Sequence, residues 1–254
     1  MQNYKDFATG LARKAGEIMR ANFSLGMKKE WKDDNSPLTA TDIAINKLVI
    51  DSVTKTFPNH GILGEEGSKN QNREYLWVCD PVDGTIAFSH GYPLFVFSLA
   101  LVVAGQSILG VIYDPVLDRM VYAEKGKGAL LNNNKIQVSK TKNLSKNLLI
   151  NNETELKLIP ATKALIKKRC IVTCFCSVSY GSLLVATGEF IANFYEWDKP
   201  WDAAAAKIIV EEAGGKVTDL DGKEQLYNQP INGFIASNGF IHDQLVKICS
   251  TKFI

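Results

Sequence analysis

The spacing of apolar residues predicts two helices in the first quarter of the chain. Near one helical face lie Phe7, Leu11, Ala15, Ile18 and Ala21. This spacing predicts an amphipathic helix over residues 3–23. A polar segment over residues 28–41 follows, and Thr41 is then predicted to cap a second helix, with Asp42 in its first turn and Pro58 after its end.

The middle of the chain changes to short apolar runs, which are typical of strands. The predicted strands cover residues 76–79, 95–104, 107–113 and 119–123. Ala104-Gly105-Gln106 predicts a hairpin turn between the second and third of them. A further hairpin is predicted over residues 128–138, around three consecutive asparagines.

A segment rich in Lys, Asn and Ser, residues 139–160, separates this region from one where strands and helices alternate. The predicted strands there are 170–174, 190–195 and 231–237, and the predicted helices are 179–187, 202–213 and 239–249. Gly214-Gly215 is expected to end the middle helix. We therefore predict a layered α/β fold in one domain, 1–254, with subdomains of about 1–140 (α+β) and 141–254 (α/β).

Composition excludes several classes of function. The 254 residues are 46% hydrophobic and carry a formal net charge of +2, so neither a nucleic-acid partner nor a membrane partner is expected. No apolar run has the length of a membrane span, and the first 23 residues have no signal-peptide pattern. Five cysteines, mostly in apolar runs, favour a reducing cytoplasm. Cys174-Phe175-Cys176 has no second ligand pair at zinc spacing, so we expect these thiols to pack in the core.

The candidate chemistry lies in carboxylates that follow apolar segments. Asp80 and Asp83 come directly after the predicted strand 76–79, and Pro81 and Gly84 favour a turn there. Buried charges must be paired or must bind a metal. Carboxylate oxygens of this kind suit Mg²⁺ or Mn²⁺ better than zinc.

The order and spacing of several motifs closely resemble the inositol monophosphatase family. The motifs are Ser36-Pro37-Leu38-Thr39-Ala40-Thr41-Asp42, Gly64-Glu65-Glu66, Asp80-Pro81-Val82-Asp83-Gly84-Thr85, Gly110-Val111-Ile112-Tyr113-Asp114-Pro115, Trp201-Asp202-Ala203-Ala204-Ala205 and Glu211-Glu212-Ala213-Gly214-Gly215. The resemblance extends over nearly the whole chain. It implies an αβαβα sandwich, metal-dependent hydrolysis of a phosphate monoester and a homodimer.

The resemblance also implies a role for individual residues. Two or three Mg²⁺ ions, with Mn²⁺ as an alternative, would be held by Glu65, Asp80, Asp83, Asp202 and the backbone carbonyl of Val82. Gly84 and Thr85 would face the phosphate, and the Thr85 hydroxyl would orient the attacking water. Glu65 would act as base or orienter, and Asp42 would assist Thr85 or a more weakly held metal. Glu66 and Lys32 are expected to lie outside the metal shell or in solvent, and His90 outside the chemistry.

The sequence does not single out one substrate. Glu196 and Asp198 are expected to contact a hydroxyl or amine of the leaving group. Cys176-Ser177-Val178-Ser179 stands where the family has a glycine and small residues, so Val178 is expected to disfavour an inositol ring. The candidates are inositol phosphate, histidinol phosphate, fructose 1,6-bisphosphate and a nucleotide 3′(2′),5′-bisphosphate. A non-catalytic regulator that binds metal or phosphate is the alternative from another class.

Overall fold

The computed structural model describes residues 2–33, 36–145, 148–152, 158–197 and 199–250, and it folds into helical and sheet layers. The helices are α1 Gln2–Asn22, α2 Ala40–Thr56, α3 Thr85–Ser89, α4 Ile159–Lys167, α5 Val178–Ala186, α6 Pro200–Glu212 and α7 His242–Cys249. The strands are β1 Glu30–Trp31, β2 Pro37–Leu38, β3 Gly61–Gly64, β4 Tyr75–Asp83, β5 Val96–Val103, β6 Gln106–Asp114, β7 Arg119–Glu124, β8 Gly128–Leu131, β9 Asn134–Lys135, β10 Leu149–Asn152, β11 Ile171–Thr173, β12 Ala192–Tyr195, β13 Lys216–Thr218 and β14 Phe234–Ser237.

Within the described residues, strands β3 to β9 form a first sheet in chain order, and β11-β10-β12-β14-β13 form a second. The first sheet is antiparallel from β4 onward, and β3 pairs with β4 in parallel. The hairpin between β5 and β6 turns at Ala104 and Gly105, both with positive φ, as predicted. The short pair β1-β2 stands apart from both sheets.

The helices cover the two sheets in layers, because each sheet has two apolar faces to bury. Helices α1 and α2 pack on one face of the first sheet, where Trp77 and Phe97 contribute to the core. Helices α5 and α6 fill the space between the sheets, and α4 and α7 cover the outer face of the second sheet. The predicted αβαβα sandwich is therefore confirmed.

Small residues let α6 lie close to the first sheet. Its segment 203–206 consists of four buried alanines. A Cβ built on Gly110 of β6 would lie 2.9 Å from the Ala205 carbonyl oxygen and 2.6 Å from the Ile208 side chain. The helix and the strand are thus in backbone contact, which fixes the position of the residues at the start of α6.

The predicted cap of the second helix was wrong by two residues. Thr39, not Thr41, caps α2: its hydroxyl accepts from the Thr41 N–H at 3.2 Å. The Asp42 carboxylate in turn accepts from the Thr39 N–H at 2.9 Å, which completes a capping box. Asp42 therefore starts the helix and also lies within hydrogen-bond distance of Thr85, which lines the cleft.

The predicted end of the strand at residue 79 was also wrong, since β4 continues to Asp83. Its pairing with β5 shifts between Asp80 and Asp83, and this bulge accommodates Pro81. The turn falls instead at Gly84, which has φ +96° and precedes α3. No helix of the described ranges is both long and apolar enough to cross a membrane.

The polar segment 139–160 contains structure that the sequence did not indicate, namely β10 and the start of α4. The chain leaves the first sheet after β9 and enters the second at β10. The division into subdomains near residue 140 stays a prediction.

Candidate active site

A cleft lies between the end of β4 and the N-terminal ends of α5 and α6. Its lining residues are Ser36, Pro37, Glu65, Asp80, Val82, Asp83, Gly84, Thr85, Ile86, Cys176, Ser177, Val178, Tyr195, Trp197 and Asp202. The structure thus brings all predicted metal ligands to one place. We call Glu65, Asp80, Asp83 and Asp202 the acidic wall, and Cys176, Ser177, Val178, Tyr195 and Trp197 the neutral wall.

The bulge in β4 positions the two aspartates of the acidic wall. Asp80 Oδ1 accepts from the backbone N–H of Val82 at 2.9 Å, which holds the bulge in shape. Asp83 Oδ2 accepts from the backbone N–H of Ser179, in the first turn of α5, at 2.5 Å. The strand end and α5 are therefore joined through a carboxylate.

Burial and mutual repulsion disfavour ionisation of this wall. Burial raises the pKa of Asp80 well above its usual range, and the charges of Glu65, Asp83 and Asp202 raise it further. Burial raises the pKa of Asp83 to about 6, although hydrogen bonds from Ser179 oppose the shift. The pKa of Glu65 is raised for the same reason of burial. These carboxyl groups accordingly take up protons more readily than free ones, and their ionised forms need positive charge nearby.

Lys32 partly compensates the negative charge of this wall, contrary to the prediction of a solvated lysine. Its Nζ donates to Glu65 Oε1 at 2.7 Å and also contacts Glu66 Oε1. Burial alone would lower the pKa of the Lys32 ammonium, but the two carboxylates raise it above its usual value. Lys32 lies 33 residues before Glu65 in a loop, and no local pattern in the sequence signals this pair.

Thr85 connects the cleft to α2. Its hydroxyl lies 2.8 Å from the Val82 carbonyl oxygen and 3.3 Å from Asp42 Oδ1. One hydroxyl proton can be donated to only one of these acceptors at a time. Burial raises the pKa of Asp42 despite its hydrogen bonds from Thr39. Gly84 is required beside Thr85, since a Cβ there would lie 2.6 Å from the Leu94 carbonyl oxygen.

The neutral wall comes from β12 and from the segment that leads into α5. Tyr195 and Trp197 line the cleft, whereas Glu196, between them, does not. This alternation follows from the two-residue period of extended backbone. The indole N–H of Trp197 is buried and makes no hydrogen bond to the described residues. Asp198, the other predicted substrate contact, lies outside the described residues.

The donor set fits a hard divalent cation, since four carboxylates border one cleft and suit Mg²⁺. In the described part of the chain, no three Asp, Glu, His or Cys side chains are arranged to hold an ion as they stand. Internal donors explain part of this: Lys32, Val82 N–H and Ser179 N–H engage oxygens that a cation would use. The individual ligands stay a prediction.

Comparisons with known proteins match nearly the whole chain. Residues 1–252 match the model of the inositol monophosphatase family. The chain is 36% identical over 248 residues to the fructose-1,6-bisphosphatase/inositol-1-monophosphatase of Thermotoga maritima, covering 96% of this chain and 94% of that protein. It is 34% identical over 238 residues to human inositol monophosphatase 1, covering 87% and 85%. A solved IMPase structure from Thermotoga maritima superposes with a TM-score of 0.89 at 34% identity, covering 97% and 96%.

Proposed function

The chain belongs to the inositol monophosphatase family of phosphoric monoester hydrolases, and from that premise we propose that it is a Mg²⁺-dependent phosphatase of small phosphorylated polyols, with inositol monophosphate as the first candidate. The observation that carries the proposal is the acidic wall. Four carboxylates border one cleft, and Asp80 and Asp83 are almost fully buried. Stability alone does not favour such a cluster, because buried like charges repel each other.

The family is metal-dependent, and Glu65, Asp80, Asp83, Asp202 and the Val82 carbonyl would hold Mg²⁺ here. When bound, the ions neutralise the charge of the phosphate and lower the pKa of water. Phosphate-monoester hydrolysis is among the slowest uncatalysed reactions, so this compensation of charge is the main requirement. Two or three ions per site, and Mn²⁺ as a substitute, belong to the same proposal.

The residues around Thr85 supply orientation. Its hydroxyl lies within hydrogen-bond distance of Asp42 and of the Val82 carbonyl, so it can accept from a water while donating to either oxygen. Glu65, on the same cleft, would take the proton of that water. This division of labour explains why Asp42 is buried with a hydrogen-bonded carboxylate at the start of α2.

Fructose 1,6-bisphosphate is the second candidate substrate. It is favoured by the Thermotoga maritima relative, whose name includes both activities. The neutral wall supports it as well, because Val178 fills space where the family pattern has small residues. Glu196 and Asp198 stay proposed contacts of the leaving alcohol, although Glu196 does not line the cleft in this structure.

A substrate panel tests the proposal. Purified protein with Mg²⁺ is supplied with inositol phosphate, fructose 1,6-bisphosphate, histidinol phosphate and adenosine 3′,5′-bisphosphate, and released phosphate is measured. We expect turnover of the first or second compound that is lost with chelator and restored by Mg²⁺ or Mn²⁺. Absence of release from all four would contradict the enzyme proposal and favour the non-catalytic regulator.

A cytoplasmic homodimer completes the proposal, by analogy with the family. Light scattering of the purified protein measures the dimer directly. A monomer mass at micromolar concentration, with full activity, would remove the dimer from the proposal and leave the chemistry intact.

A further inference from the structure

Two cysteines stand beside the cleft in the segment between β11 and α5. Cys174 is exposed and Cys176 is half-buried, so the prediction that both pack in the core was wrong. Their sulfurs lie 3.7 Å apart, and Cys176 lines the neutral wall. Cys176 has φ +54°, in the left-handed region, so the chain turns tightly at this residue.

The backbone between the two thiols is fixed by the second sheet. The Phe175 N–H donates to Asn151 Oδ1 at 3.1 Å, and the Tyr195 hydroxyl donates to the Ser177 carbonyl at 3.0 Å. The Phe175 ring packs edge-on against Tyr180, with centroids 5.7 Å apart. The fold therefore fixes the backbone on both sides of Cys176, which limits how far the two sulfurs can separate.

The same segment leads directly to the acidic wall. The Ser177 hydroxyl caps α5 by accepting from the Tyr180 N–H at 3.0 Å. One residue earlier in that helix, the Ser179 N–H donates to Asp83 at 2.5 Å. Only Ser177 therefore separates Cys176 from the helix turn that holds an aspartate of the cleft.

The remaining thiols lack these properties. Burial raises the pKa of Cys79 well above its usual range, raises that of Cys170, and raises that of Cys249 to about 12. A protonated thiol is a poor nucleophile, so these three are expected to be unreactive toward oxidants. They serve as internal controls.

We propose that Cys174 and Cys176 form a reversible oxidation site that lowers the activity of the adjacent cleft, a consequence that rests on the proposed function. A hydroperoxide is the oxidant. One thiolate attacks the peroxide oxygen and becomes a sulfenic acid, with release of water or alcohol. The second thiol then attacks that sulfur, the disulfide forms and water leaves. Two electrons pass from the sulfurs to the peroxide, and a dithiol returns both thiols.

The expected effect follows from the distance that the sulfurs must cover. A disulfide bond measures about 2.05 Å, so closure from 3.7 Å moves at least one of the side chains. The second sheet fixes Phe175 and Ser177 on either side of Cys176. Closure that moves the Cys176 side chain therefore changes the neutral wall of the cleft directly.

The experiment treats the full-length Mg²⁺ enzyme with diamide, which removes two electrons and two protons from a thiol pair, and then alkylates the remaining thiols. Mass spectrometry is expected to show the loss of two hydrogen atoms and a link between 174 and 176. Phosphate release is expected to fall at least about fivefold in kcat/KM and to recover with dithiothreitol. Cys174→Ser is expected to retain its starting activity after diamide, and the control Cys249→Ser to behave as wild type.

Three results would overturn the proposal: no 174–176 link, a link with unchanged phosphate release, or an equal loss of activity in Cys174→Ser. If the untreated protein releases no phosphate, the proposed function fails separately. The mass measurement then still decides whether the pair oxidises, and the Mg²⁺-induced shift of the melting temperature, before and after diamide, reports the effect on the cleft.

Discussion

Two strands of the first sheet contain an aspartate followed by a proline at or near their ends, and the two aspartates have opposite surroundings. Asp114, the last residue of β6, is fully buried. Its Oδ2 accepts from the Arg119 guanidinium at 2.7 and 3.0 Å. Its Oδ1 accepts from the backbone N–H groups of Val116 and Leu117. Every oxygen of this carboxylate thus has a donor, and its charge has a cation.

Asp80, near the end of β4, is buried to nearly the same extent. One of its oxygens accepts from Val82, but the charges that act on it belong to Glu65, Asp83 and Asp202. The buried carboxylate at the end of β6 is therefore stabilised by hydrogen bonds and a cation. The buried carboxylate near the end of β4 is instead surrounded by other carboxylates, which disfavour its ionised form. The Asp-Pro segment of β6 is thus structural, because the protein itself supplies the cation, whereas the one in β4 fits the proposed metal site, where the protein supplies none to Asp80.

The largest effect that tests this contrast is expected at Asp83. Asp83→Asn keeps the shape of the side chain but removes one charge of the acidic wall, so kcat should fall at least about 10²-fold while the protein stays folded. Steady-state kinetics at saturating Mg²⁺, together with circular dichroism, measure both. Turnover near that of wild type would show that Asp83 does not take part in the chemistry.

Asp114→Asn is the matched variant at the other strand end, and its effect is expected on stability. The change leaves the Arg119 guanidinium without its buried partner, which should cost roughly 3 kcal/mol of unfolding free energy. The kcat of the folded fraction should stay within about twofold of wild type. Urea denaturation and kinetics decide it, and a large loss of kcat in a stable protein would break the contrast.

The pH dependence of the metal-free protein sharpens the same comparison. The pKa of Asp83 is raised from 3.8 to about 6 in the folded protein. A carboxyl with a raised pKa destabilises the folded state once it ionises. This penalty is absent below about pH 4, grows as pH rises and is complete above about pH 7, where it reaches on the order of 3 kcal/mol.

Chemical denaturation in chelator at several pH values measures this penalty as the difference between wild type and Asp83→Asn. The stability of the variant relative to wild type should increase from pH 4 to pH 7. Excess Mg²⁺ should abolish the increase, because an ion that binds only the folded state stabilises it. A pH-independent difference would place the Asp83 carboxyl in a compensated environment like that of Asp114.

The smallest effect is expected at Glu66, which contacts Lys32 but does not line the cleft. Glu65→Gln should lower kcat at least about tenfold, whereas Glu66→Gln should change it by less than about threefold. Both variants lose one contact to the same lysine, so each controls for the other. Equal losses would mean that the contact with Lys32, which both glutamates share, matters more for kcat than the position of Glu65 in the acidic wall.

Much of the acidic wall was predictable because its residues lie in local motifs with a physical reason. Asp80 and Asp83 follow an apolar strand, and Asp202 stands in the first turn of a helix that was predicted within two residues. The fold class followed from the change in pattern after residue 139. In these places local propensity and tertiary structure favour the same arrangement.

The rest depended on partners distant in sequence. Strand β10 reads as a polar segment because Asn151 and Asn152 are at its end, yet both are buried. Asn151 donates to Asn193 at 3.0 Å and to Tyr195 at 2.7 Å, 42 and 44 residues away. A local sequence pattern does not predict which distant residues will form hydrogen bonds with a buried polar side chain. His242 is likewise buried between the hydroxyls of Thr218 and Ser237.

The alanines of α6 have a consequence for redesign. Since Gly110 and Ala205 are in backbone contact, the start of this helix cannot move without disturbing the first sheet. Asp202 is consequently placed by the core and not by the segments that precede it. A protein engineer can therefore exchange a side chain of the neutral wall, for example Val178, to accept a different leaving alcohol and still keep Asp202 in place. The permissive part of this molecule is the surface that contacts the alcohol, and the rigid part is the one that meets the phosphate.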